Sequence, residues 1–234
     1  MTSGNRLFTI IALLLLACGT PVAFAQQTLQ VGQTTVQVPQ ATVPQAFTIL
    51  GQFVRVANNN EGFAVLSYRT TQESQGQDWV LLDTGITVLG KENYKLKREN
   101  LSLKIPNGTM VPLASVQEFK AAGSCRNLVM RDNKINDSIN YFPANVSRGC
   151  VIGFFGTSTS LSYDEVELSS DRGCMGRLFF KVPGGVVPGQ YWLYINFANS
   201  QLQVPFRILT KEEREIFSKS WEDIKKAYED SLKQ

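Results

Sequence analysis

The stretch from Gly176 to Leu209 reads "GRLFFKVPGGVVPGQYWLYINFANSQLQVPFRIL" and holds three apolar runs. In the first, Leu178, Phe180 and Val182 share one face at period two. In the second, Tyr191, Leu193, Ile195 and Phe197 do, and in the third Leu202, Val204, Phe206 and Ile208. Successive side chains of a strand point to opposite faces, so each run specifies a strand with one apolar side. A Pro-Gly turn precedes the second run, and "ANSQ" closes the last two runs into a hairpin. Pro205 has no N–H to donate to a ladder, which places the last strand at a sheet edge.

The same period continues upstream. "FAVLSYRT" (63–70) reads as a strand, and "DWVLLDTGITVLG" (78–90) sets Val80, Leu82, Ile86 and Val88 on one face with Thr84 between them. "NLSLKIPNGTMVPLA" (100–114) aligns Leu101, Leu103 and Ile105 before Asn107-Gly108, a dipeptide that tolerates positive φ and marks a hairpin. "CVIGFFGT" and "DEVEL" add two further strand candidates. Many short strands without a βαβ alternation predict a mainly β fold, an antiparallel β-sandwich.

Two helices interrupt this pattern. Ser115 and Glu118 form a capping box for a short internal helix over "SVQEFKAAG", with Gly123 placed as its C-terminal stop. The chain then runs through a polar, partly helical connection to Asn145. At the C-terminus Thr210 and Glu213 cap an amphipathic helix supported by acid-before-base pairs such as Glu215 with Lys219. Its narrow stripe of Phe217, Trp221, Ile224, Tyr228 and Leu232 needs a cover, either the chain's own sandwich or another chain in an oligomer.

The motif G-x-x-x-F-x-V-P from Gly176 to Pro183, followed by a Pro-Gly turn and a Y-x-L-x-I strand, resembles the bacterial telokin-like, immunoglobulin-fold family of secreted proteins and lipoproteins. "WVLLDTGITV" and "LSLKIPNGTMVPL" look like that family's first core strand and hairpin, so the resemblance spans roughly residues 60 to 208. It departs from the family in some 60 extra residues before Gly176. The resemblance implies an immunoglobulin-like sandwich, an extracytoplasmic binding or interaction role, and no catalytic residue set. In such folds a tyrosine corner bonds back to the backbone, and Tyr191 in "PGQY" is the candidate.

The N-terminus points to the same compartment. Arg6 is followed by "LFTIIALLLLA" and then by "AFA" ending at Ala25, the pattern of a secretory signal. An overlapping reading takes "LLAC" as a lipoprotein box with lipidation on Cys18. The expected organisation is a signal at 1–25, a Gln-rich stalk or edge strand at 26–45, and a sandwich at 46–209. An insertion at about 114–149 interrupts the sandwich, and the C-terminal helix occupies 210–234. Loss of Arg6 with the signal leaves 22 Lys and Arg against 20 Asp and Glu, a balance that predicts no strong attraction to nucleic acid or anionic membrane.

The chain has no histidine, which excludes Ser-His-Asp and Cys-His nucleophiles and His-ligated metal sites. After signal removal Cys125, Cys150 and Cys174 remain. Exported thiols are normally oxidised, and the matched contexts "SRGC" and "DRGC" favour a Cys150–Cys174 bond over the two other pairings. If "DEVEL" lay between the two as a strand of one sheet, the cysteines would stand about 10 Å apart, too far to bond. The bond therefore requires opposite sheets or an intervening segment that leaves. No C-x-x-C spacing supports a metal or redox site, and no cofactor is called for.

Acidic residues Asp164, Glu165, Glu167 and Asp171 suit a solvated loop better than a calcium site or a glycosidase pair. Trp192 and Tyr194 must lie opposite the inward face of their strand. They await either the C-terminal helix, through Phe217, Trp221 and Tyr228, or a sugar or protein partner. Sequons begin at Asn100, Asn107, Asn136 and Asn145 and matter only in a glycosylating host. The expected function is that of an exported, non-catalytic binding module for a protein or cell-surface partner. A carbohydrate-binding or carbohydrate-active role and a structural envelope subunit are the alternatives.

Overall fold

The computed structural model describes residues 27–31, 34–38, 44–134, 137–146, 148–156 and 161–231. The signal segment and Cys18 lie outside these residues, as do the side chains of Trp221 and Tyr228. The fold is mainly β, 42% strand and 20% helix, in several open, antiparallel-rich sheets with a C-terminal helix. Among the described residues no helix is long and apolar enough to cross a membrane.

Fourteen strands are described: β1 (Gln27–Val31), β2 (Thr34–Val38), β3 (Ala46–Leu50), β4 (Val54–Asn58), β5 (Gly62–Ser67), β6 (Trp79–Val88), β7 (Tyr94–Lys97), β8 (Leu101–Lys104), β9 (Met110–Pro112), β10 (Arg148–Val151), β11 (Glu165–Leu168), β12 (Arg172–Lys181), β13 (Gly189–Asn196) and β14 (Gln201–Ile208). The helices are α1 (Arg69–Gln72), α2 (Val116–Ala121), α3 (Gly123–Asp132) and α4 (Lys211–Ser231). A six-stranded sheet runs β10-β12-β6-β5-β4-β3 and a four-stranded sheet β14-β13-β8-β9. β7 pairs with β11, and β1 with β2.

The two larger sheets send their inward rows into one core. Val80, Leu82, Ile86 and Val88 come from β6, and Leu178 and Phe180 from β12. Across from them stand Leu101, Leu103, Leu193, Ile195, Val204 and Phe206. All of these are buried, so the period-two sets read from the sequence are the core. The Asn107-Gly108 turn joins β8 to β9 with Gly108 at φ +89°, a conformation that glycine adopts without steric cost. β14 forms an edge of its sheet, and Pro205 there faces Trp192 in the ladder.

Four local expectations change. The strand at 63–70 stops at Ser67, because the next residues turn into α1 and Thr71 Oγ1 both donates to the Leu81 carbonyl and accepts from the Leu81 N–H. Gly123 does not end the internal helix; Ala122 breaks the chain with ψ 96°, and Gly123 opens α3. The Gln-rich segment has its strand at "TVQV", within β2, and adds a second one, β1, paired with it in a hairpin. α4 keeps its Thr210–Glu213 capping bonds, yet no side chain from Lys211 to Ser220 is buried and Ile216 is 67% exposed.

The cysteine geometry has its own resolution. Cys150 and Cys174 are disulfide-bonded, with Cα atoms 4.3 Å apart. They sit opposite one another on β10 and β12, which are parallel neighbours in one sheet. The intervening β11 leaves that sheet to pair with β7, so no strand separates the two cysteines.

Candidate functional site

α2, α3 and the segment 137–146 cover the outer face of the six-stranded sheet. On β12 the residue between the two inward ones, Phe179, points outward and packs with Trp79, Leu81, Ala114, Cys125 and Leu128. The Ala114 N–H donates to the Phe179 carbonyl at 2.9 Å and so fixes the start of α2 on β12. Ser115 and Glu118 complete the capping box, with Glu118 N–H to Ser115 Oγ at 3.1 Å and Ser115 N–H to Glu118 Oε2 at 2.9 Å. The Ser115 N–H and the Ser115 hydroxyl, both donating to Glu118 Oε2, hold the Glu118 carboxyl below its ordinary pKa.

Phe119 then meets Phe179 at a ring-centroid distance of 4.6 Å. Phe155, from the segment after β10, lies 5.1 Å from Phe119 and 5.0 Å from Phe179. Phe155 reaches this position because Gly176 admits the backbone of Ile152 against β12, where a Cβ would collide with the Ile152 carbonyl. Arg98 locks the corner. Its guanidinium lies 4.7 Å from the Phe155 ring centre, donates to the Phe154 carbonyl at 2.7 Å, and donates to the Ala114 carbonyl. Burial lowers the pKa of Arg98.

These walls enclose a cleft of about 650 Å³ between α2, α3 and the turn at 155–156. The three phenylalanines form its aromatic wall, and small residues, Ala122, Gly123 and Gly156, leave the space open. Its charged lining residues are Lys120, Arg126 and Arg177; no acid is among the described lining residues. The Cys125 thiol at its edge is 1% exposed, and burial pushes its pKa up to about 12, so it stays protonated at neutral pH. The cleft's groups can desolvate, stack and attract negative charge.

Next to the cleft a cluster of carboxylates and guanidiniums ties α3 to the sheet. Arg177 Nε donates to Asp132 Oδ2 at 2.6 Å and stands 3.5 Å from Asp83 Oδ1, while its Nη2 donates to Asn133 Oδ1 at 2.6 Å. Thr70 Oγ1 donates to Asp132 Oδ1 at 2.7 Å, which satisfies a carboxylate that is 3% exposed. Asp137 accepts from Ser67 Oγ at 2.7 Å and from the Arg69 guanidinium, Nε at 2.8 Å. Burial would raise the Asp137 pKa, but the Arg69 and Ser67 bonds and the Arg69 charge outweigh it and hold the group below the ordinary range. Asp83 goes the other way, from 3.8 up to about 7. Burial comes first, then the hydrogen bond and charge of Asp132, with Arg177 opposing and Asp137 adding.

The residues singled out from the sequence lie elsewhere. Cys150 and Cys174 staple an edge of the six-stranded sheet. The Tyr191 hydroxyl donates to the Val187 carbonyl at 2.8 Å and accepts from the Val187 N–H at 3.0 Å. Trp192 and Tyr194 are half-buried on the face of β13 away from the core, and Phe217 is half-buried on α4. The acidic stretch is dispersed: Glu165 pairs with Lys95, Glu167 accepts from Asn93, and Asp171 accepts from Ser169.

Sequence reasoning missed the cleft and the charge cluster. A signal for the cluster was present, since Asp83 interrupts the apolar run "WVLLDTGITV" and Arg177 interrupts "GRLFFKV"; the two face each other in the β6–β12 ladder. Comparison with protein-family models, with curated proteins and with solved structures finds no match for this chain.

Proposed function

We propose that the chain is an exported, non-catalytic binding module built on an immunoglobulin-like sandwich, and that it binds its partner in the cleft between α2 and α3. The cleft's construction carries this reading. Three aromatic rings are held by backbone bonds and by Arg98 around about 650 Å³ of space, within the size range of sites that take small molecules or side chains. Export is supported by the N-terminal signal pattern and by a disulfide, which suits an oxidising compartment. The immunoglobulin-like reading is supported by two sheets that share one core and by the Tyr191 hydroxyl bonded back to Val187, the arrangement of a tyrosine corner.

A thermal-shift screen of chemically varied small molecules tests the reading. Gly123→Trp is a suitable block, because a Cβ at this lining position meets nothing within 4 Å. Stabilising compounds are expected to lose their effect in this variant and to keep it in Trp192→Ala. Stabilisation that survives Gly123→Trp sinks the cleft as the binding site.

A second reading, a carbohydrate platform, is favoured by one observation: Trp192 and Tyr194 share a face of β13 and neither is fully buried. It predicts that Trp192→Ala abolishes retention on a polysaccharide column. Unchanged retention excludes it.

A further inference from the structure

Building on the proposed binding role of the α2–α3 cleft, we infer that its ligand is a small amphipathic organic anion, an apolar body carrying a single carboxylate. Two independent properties of the cleft set that class. Phe119 and Phe155, half-buried and backed by the buried Phe179, present apolar surface that gains free energy when water is displaced from it, so the body of the ligand is apolar. The charged lining is of one sign: Lys120 on α2 and Arg126 on α3 are both exposed and have no ion-pair partner among the described residues.

The other charges nearby are held away from the cleft. Arg177 is committed to Asp132, Asn133 and Asp83. The Glu118 carboxylate keeps its charge but is tied to the Ser115 N–H and hydroxyl at the start of α2 and is not among the residues lining the cleft. Lys120 and Arg126 therefore supply the attraction. The planar guanidinium of Arg126 matches a carboxylate in two parallel hydrogen bonds, a geometry that an ammonium alone does not provide. Two rim cations are too few to track a polyanion, and the half-buried rings of Phe119 and Phe155 reward an apolar group laid against them.

Decanoate and decanol distinguish the components of this proposal, since they share a chain and differ in charge. Calorimetric titration of the purified protein at neutral pH, below the micelle concentration of decanoate, is expected to give saturable binding at one site. Decanol should bind roughly tenfold more weakly, and Lys120→Gln/Arg126→Gln should weaken decanoate by about the same factor while leaving decanol unchanged. Both substitutions are at exposed positions, and an unaltered thermal midpoint confirms that the variant is folded. Gly123→Trp should abolish both ligands.

Decanol binding as tightly as decanoate, or decanoate binding unmoved by the double substitution, overturns the anion inference and leaves the cleft as a binding site. Failure of both ligands to bind, or binding that ignores Gly123→Trp, overturns the inference and the cleft reading together.

Discussion

The two faces of the six-stranded sheet are made by different rules. The inner face is nearly uniform: Val80, Leu82, Ile86 and Val88 of β6 and Leu178 and Phe180 of β12 are apolar and buried, with Thr84 the polar member of the row, and the four-stranded sheet packs against them in one core. The outer face is a mixture. Beside Phe179 and Val65 it carries Asp83 and Arg177, and its cover is α2, α3 and the segment 137–146, which brings Ile139 and Phe142 onto Val54, Val56 and Val65. A sheet packed on a sheet repeats one geometry along its length. A sheet covered by an irregular insertion leaves gaps and admits charge where the cover supplies a partner.

Phe180 and Phe179, adjacent on β12 and on opposite faces, test this contrast most strongly. Phe180→Ala is expected to cost about 3–5 kcal/mol, because the close-packed inner core cannot collapse around the lost ring. Phe179→Ala should cost about half as much: its ring is equally buried, but the space it vacates opens onto the cleft and does not leave a closed cavity. Urea denaturation measures both, and equal costs would show that the outer face is packed as tightly as the inner one.

Smaller is the effect of Arg177→Gln, expected at about 2–3 kcal/mol. It leaves the Asp132 carboxylate buried without its guanidinium partner, with the Thr70 hydroxyl still donating to it. The same denaturation curves should show that Asp132→Asn in the Arg177→Gln background recovers part of the loss. No recovery would mean that the pair acts through something other than uncompensated charge.

The last expected effect, reduced by solvent screening because the Asp83 side chain is 28% exposed, is a slope with pH. Asp83 has its pKa raised in the folded chain from 3.8 to about 7, so the folded state holds a proton that the unfolded state has released. Stability from this group is therefore fully present below about pH 4 and falls as pH rises toward about 7. Asp137 runs in the opposite sense: its depressed pKa contributes stability above the ordinary carboxylate range that is lost as pH falls. Asp83→Asn should flatten the decline between about 4 and about 7 in melting curves. A decline that persists in Asp83→Asn would place its origin elsewhere.

The contrast also explains what was legible in the sequence. Val80, Leu82, Ile86 and Val88, or Leu202, Val204, Phe206 and Ile208, announce their face because burial against a second sheet imposes period two. Local chemistry was equally legible: the Ser115–Glu118 and Thr210–Glu213 caps and the Asn107-Gly108 turn each depend on residues within a few positions. The Cys150–Cys174 pair was readable from matched contexts, although not the parallel register that brings the cysteines together. The cleft was not legible. Phe119, Phe155 and Phe179 come from three separate segments, and Asp132 meets Arg177 across 45 residues. Nothing periodic links them, and only the folded insertion makes them neighbours.

Arg98 gives the cleft a kinetic character. One guanidinium bonds the carbonyls of residues 114 and 154 and lies against the ring of residue 155, so the α2 start and the opposite wall are fastened before anything enters. For the ligand proposed for this cleft, no closure of these two walls has to be waited for. Entry is then governed by diffusion and orientation, and competing molecules differ mainly in how long they stay.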